Sequence, residues 1–282
     1  VQYWLHCNTP FLISKRRSGG NVLPPSTFRE NTMRTSHRHR TLISGCLFLF
    51  LVACCSHANA SITMTGTRII YDGAAKSTDV HLKNKDAIPY VVQSWFDNGN
   101  MADGPEKSAQ VPFIATPPAF RIQPGEGQII RIVYTHGKKL PQDRESLVYF
   151  NFMQIPPANA GQSASQTEKQ NSLLIMLRNR VKLFYRPAGL VGDPQKMLEN
   201  LQVKRINGNK ELAISIKNNQ PYFVTVAALQ PGGSSQIQHP KNDMISPFAS
   251  ETFHFPRTAD AQRVRITLIN DQGARISADY PL

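Results

Sequence analysis

The pattern of the chain predicts an all-β protein made of two consecutive β-sandwiches. Three observations carry this expectation. Short apolar-alternating stretches recur at sandwich intervals, each closed by Gly, Pro, Asn or Asp turn chemistry. No stretch longer than about ten residues holds a helical period. After Pro187-Ala188-Gly189 the strand-and-turn pattern starts afresh, so a domain boundary is expected there, giving domains over 61–187 and 188–282.

The first sixty residues stand apart. Residues 1–32 show neither period and are rich in Ser, Asn, Pro and Arg; they read as an upstream extension without structure. From Met33 the order changes to MRTSHRHR, then the apolar run TLISGCLFLFLVACC, then Ala58-Asn59-Ala60. Basic, apolar, small: this is the order of a secretory signal peptide, over residues 33–60. The apolar run is short for a membrane span, so no stable membrane insertion is expected. Acylation at Cys54, as in a lipoprotein, stays open as a second reading.

Cleavage after Ala60 would leave 25 Lys and Arg against 18 Asp and Glu. All four cysteines, at 7, 46, 54 and 55, precede that point. Thiol catalysis, Cys-ligated zinc and iron–sulfur chemistry are thereby excluded from the exported chain, which must be held by its cores. The basic surplus suits an acidic or carboxylate-bearing protein partner better than a nucleic acid in an exported compartment. His81, His136, His239 and His254 stand singly, without an HxxxH or HExxH pair, and no GxSxG, P-loop or dinucleotide glycine pattern occurs. No enzyme, metal site or cofactor is expected.

In the first domain the strand candidates are 61–72 (SITMTGTRIIYD), 79–83, 90–96 (YVVQSWF), 113–122, 128–134 (QIIRIVY) and 146–155 (SLVYFNFMQI). Pro117-Pro118 restricts 113–122 to an edge or a turn. Residues 158–172 read as a mobile low-complexity loop, and 171–187 (NSLLIMLRNRVKLFYRP) as the seventh strand. Seven strands in roughly 125 residues is the immunoglobulin-like number. The second domain offers 201–205, 211–217, 222–229, 251–255, 264–269 and 274–280.

The stretch 171–187 is unusual because its first half is apolar on both parities, with Leu173, Ile175 and Leu177 on one and Leu174 and Met176 on the other. Such a segment must be covered on both faces, by its own core and by a partner, or else remain a liability. Arg178, Arg180, Lys182 and Arg186 follow, and Pro187 is a natural stop.

TGTRIIYDG (65–73), PFIATPPAFRIQPGEGQIIRI (112–132), LPQDRESLVYFNFMQIPP (140–157), RVKLFYRP (180–187) and PYFVTV (221–226) together resemble the periplasmic chaperones of the chaperone–usher pilus pathway. The resemblance implies two immunoglobulin-like domains set as a boomerang, in the periplasm of a Gram-negative cell. It implies pilus subunits and an outer-membrane usher as partners; a self-capped dimer stays open. Members of the family lend a strand to an incomplete pilin sandwich until another subunit replaces it. Carried onto this sequence, Leu173, Ile175 and Leu177 become the lent residues, and Arg68 and Lys182 the cations for the subunit's C-terminal carboxylate. Glu145, Arg186 and Asp271 become an ion network between the domains. Simple alternation puts Lys182 on the opposite parity from the three lent residues, so either a bulge or strong twist lies between 177 and 182 or the assignment of faces is too simple. The cysteine-free connection over 158–172 leans toward the short-loop members. A structural or adhesive pilus subunit and an anchored periplasmic binding module remain as alternatives.

Overall fold

The computed structural model describes residues 61–158, 174–206, 211–235, 237–256 and 261–282. The expectations for the extension at 1–32, the signal peptide at 33–60, Cys54, most of the loop at 158–172 and Leu173 lie outside the described residues.

Nine strands occupy the first part of the chain: β1 (Ile62–Met64), β2 (Arg68–Asp72), β3 (Thr78–Asn84), β4 (Tyr90–Asp97), β5 (Phe113–Thr116), β6 (Ala119–Ile122), β7 (Gly127–Tyr134), β8 (Ser146–Ile155) and β9 (Leu177–Arg186). They form two sheets, ordered β1-β3-β7-β5 and β2-β9-β8-β4-β6. Two single strands of the sequence reading are each split between the sheets. At 61–72 the chain bends at Gly66, whose φ of 86° is costly for any residue with a Cβ, and β1 and β2 join opposite sheets. At 113–122 Pro117 and Pro118 interrupt the ladder, and β5 and β6 lie at the edges of different sheets. The edge position expected from the prolines is what the structure has.

Between the sheets, alternate residues interlock. Val92, Ile130, Ile132, Phe150 and Leu183 have no accessible surface, and Tyr71, Phe113, Tyr134 and Tyr185 form an aromatic group at one end. Each fully buried side chain of this kind contributes roughly 1.5–3 kcal/mol.

Seven strands follow: β10 (Leu201–Ile206), β11 (Glu211–Asn218), β12 (Val224–Pro231), β13 (Met244–Ile245), β14 (Ser250–Pro256), β15 (Arg263–Ile269) and β16 (Arg275–Pro281). Their sheets are β10-β11-β14 and β13-β12-β15-β16, around a second core of Leu212, Ile214, Ile216, Val224, Val226, Leu229, Val264, Ile266 and Leu268. The ladder of β12 begins two residues later than the apolar pattern suggested. Pro221 and Phe223 turn instead toward the first sandwich: the Glu145 amide donates to the Pro221 carbonyl (2.8 Å), and the Phe223 amide to the Glu145 carboxylate (2.8 Å).

Candidate functional site

β9 is paired unequally along its length. On one side it runs antiparallel to β8 from Leu177 to Tyr185, without a register shift. On the other side it runs parallel to β2, but only from Lys182 to Arg186. Among the described residues, the backbone at 177–181 therefore keeps one open edge, in line with the start of β2.

Immediately before this open edge lie the most exposed apolar residues of the stretch. Ile175 is 61% accessible and Leu177 is 50% accessible, with Leu174 and Met176 close to the same. Ile175 is not in a strand, which corrects the expectation of a strand reaching back to 171. The reason is local. Continuing the β8–β9 register would set Leu174 and Ile175 opposite Pro157 and Pro156, which have no amide to donate.

The unbroken register also rules out a bulge between 177 and 182. Leu177, Val181, Leu183 and Tyr185 share one face of β9, the last two inside the core, while Arg178, Arg180, Lys182, Phe184 and Arg186 share the other. The parity mismatch is real, and it means that the strand uses its two faces for different contacts.

Arg68 and Lys182 are brought together as directly paired residues of β2 and β9. Arg68 Nη1 donates to the Ile269 carbonyl (3.2 Å) and to Thr225 Oγ1 (3.4 Å), and its guanidinium lies 5.8 Å from the Phe184 ring. Its Nε is buried with no hydrogen-bond partner among the described residues. Burial pushes its pKa down, against the charges of Asp271, Asp243 and Glu145. An arginine does not give up its proton in a protein, so the group stays cationic, incompletely solvated and incompletely paired. Lys182 Nζ sits 2.6 Å from Asp243 Oδ2, whose side chain is 44% accessible. Asp243 directly precedes β13, so the second sandwich supplies one wall of this cationic place.

Glu145, Arg186 and Asp271 are also brought together. Arg186 contacts Glu145 Oε1 at 2.7 Å and Asp271 Oδ2 at 2.9 Å, and its guanidinium lies over the Tyr222 ring. Burial pushes the Glu145 carboxyl up against the pull of Arg186 and the Phe223 amide, while its acids hold Arg186 up despite burial. These directions oppose each other. With both Glu145 oxygens occupied by N–H donors at short range, we take the ionised pair as the state of the protein near neutral pH.

A third group was not anticipated. Asp97, at the end of β4, has no side-chain exposure and receives Arg180 through Nη2 (2.6 Å) and Nε (2.9 Å), Asn151 Nδ2 (2.8 Å) and Arg178 Nη2 (3.4 Å). Burial pushes its carboxyl up, but Arg180, Asn151 and the Gly99 amide outweigh it and hold it below the usual range. The hint in the sequence was an acid at the end of the apolar stretch YVVQSWFD, on the same parity as Trp95, where a charge calls for a partner.

A family model for pili and flagellar-assembly chaperones, PapD N-terminal domain, matches residues 61–191, and one for the pili assembly chaperone PapD, C-terminal domain, matches residues 196–280. The chain belongs to the pilus-assembly chaperone family. Chaperone protein HifB of Haemophilus influenzae is 36% identical over 228 residues, covering 80% of this chain and 90% of HifB. Chaperone protein PapD of Escherichia coli is 34% identical over 243 residues, covering 84% and 91%. Among solved structures, the YadV chaperone superposes with a TM-score of 0.64 at 32% identity, over 79% of this chain and all of YadV. Membership in this chaperone family displaces the alternative reading of the chain as a pilus subunit, since the two models span both sandwiches.

Proposed function

We propose that this protein is an ATP-independent periplasmic chaperone that folds and caps pilus subunits by donor-strand complementation and hands them to an outer-membrane usher. The observation that carries this reading is the open edge of β9 at 177–181, which begins beside exposed Ile175 and Leu177 and ends against Arg68 and Lys182. A subunit strand entering that vacancy parallel to β9 points its C-terminus at β2. Its terminal carboxylate then meets two cations, one of them with a free buried donor. The apolar face of 173–177 fills the subunit's groove, and each side chain so buried contributes roughly 1.5–3 kcal/mol. No covalent step is involved. The energy for release comes from exchange with a better-fitting strand of another subunit.

The Lys182→Ala variant tests the anchor. Charge-assisted hydrogen bonds of this kind contribute about 1.5–3 kcal/mol, so the yield of chaperone–subunit complex on co-expression should fall about tenfold or more. Wild-type yield would sink the assignment. Export is assigned to residues 33–60, and Ser61 is the expected first residue of the purified protein by mass spectrometry. A lipidated Cys54 would favour the anchored module instead. When no subunit is present, the same edge is open to a second copy, which would give a self-capped dimer.

A further inference from the structure

Arg178, Arg180 and Lys182 leave the same face of β9 at two-residue intervals. A strand added to the open edge would run about 4.8 Å from β9, within reach of all three side chains. Sliding that strand by two residues preserves its in–out alternation, so alternation does not fix the register. A terminal carboxylate would then find a cation at each of three stops.

The structure withdraws two of them. In the sheet order β2-β9-β8-β4, Asp97 lies on β4, on the side of β9 away from the open edge. To reach it, the Arg180 guanidinium lies over Tyr149 of β8, 3.4 Å from the ring centroid, and Arg178 lies over Trp95 of β4 at 4.8 Å. Arg178 is tied down further by donating to the carbonyls of Met101 (2.7 Å) and Asp103 (3.3 Å) and to Asn151 Oδ1 (3.0 Å). Lys182 is treated differently. Its partner Asp243 is a partly exposed acid making one contact, which an incoming carboxylate can displace.

We propose that Asp97 is a register-selecting residue: by drawing Arg178 and Arg180 across β8, away from the open edge, it leaves Arg68 and Lys182 as the anchor for the subunit's terminal carboxylate. This rests on the reading of β9 as the lent strand. Asp97 is a positioning residue and touches no subunit atom itself.

The test offers each chaperone variant two forms of its pilus subunit in competition, one full-length and one shortened by two C-terminal residues. With its other residues in their normal pairing, the shortened form ends its carboxylate opposite Arg180. Wild type should favour the full-length form about tenfold or more in the co-purified complex. Asp97→Asn, which turns one acceptor oxygen into a donor facing an arginine, should cut the preference to about threefold or less. Adding R178Q and R180Q to D97N should restore the preference, which a general loosening of the fold would not do. R180K keeps the charge but loses the two-pronged pair and the stacking, and should relax the preference with the buried acid intact, which covers the case of a D97N chain that does not fold. An unchanged preference in R180K or in folded D97N overturns the proposal, as does a triple variant that stays relaxed. A wild type without preference, joined by K182A binding normally, would instead remove the anchor assignment beneath it.

Discussion

Asn84 donates through Nδ2 to the carbonyls of Ile88 (2.8 Å) and Gln123 (3.1 Å), and its Oδ1 accepts the Asp86 amide. Asn218 does the same in the second sandwich, with Tyr222 (2.7 Å), Ser246 (3.1 Å) and the Gln220 amide. Both are fully buried at the ends of equivalent strands, β3 and β11, so the two sandwiches lock their turns with one device. Removing such a side chain leaves several buried backbone groups unpaired. Asn84→Ala should cost about 2–4 kcal/mol, read as a lower urea midpoint, and Asn218→Ala a similar amount. A loss below about 1 kcal/mol would mean that water replaces the amide without penalty. In the sequence each asparagine stands as an ordinary polar residue at the end of a strand, next to a turn. Their burial depends on loops distant along the chain, which local pattern does not report.

At the level of elements, β9 is where most of the site is written. Its cations Arg178, Arg180, Lys182 and Arg186 share one face, and Leu183 and Tyr185 on the other face enter the core. The strand's beginning was placed too early, because apolarity alone does not supply a neighbour to pair with. Pro156 and Pro157 carried the missing information, since they end β8 and leave 174–176 without a ladder. An exposed apolar segment next to an open edge is an aggregation hazard unless a partner takes it up. Ile175→Ser with Leu177→Ser should therefore abolish subunit capture in a pull-down while leaving the thermal midpoint of the chaperone within a few degrees, because neither side chain is in the core. A doubly substituted chain that still captures its subunit would rule out these residues as the lent face.

For the whole molecule, one of the links between the sandwiches runs through Arg186, held by Glu145 before β8 and by Asp271 in the β15–β16 turn, with Phe184 against Phe223 beside it. We propose that this network fixes the mutual orientation of the two domains more than it stabilises either. Asp271→Ala removes one arm and leaves the Arg186–Glu145 pair, so the cost in unfolding free energy should stay at about 1–2 kcal/mol. The larger effect should be a broader distance distribution between spin labels placed one in each sandwich. An unaltered distribution would show that packing alone sets the orientation.

The sequence by itself determined the all-β class and the restart after Pro187, and its family motifs singled out Arg68, Lys182, Glu145, Arg186 and Asp271 as candidates. Alternation, turn residues and family motifs are local properties and survive without knowledge of the fold. Only the tertiary structure decided which residues meet. It set Arg68 beside Lys182 across a parallel pairing and left 177–181 open where β2 falls short. It also placed Asp97 and Asp243 against the cations of β9, from residues more than sixty positions away. Sheet order and long-range register arise from both cores packing at once, and no window of sequence contains both partners of such a contact.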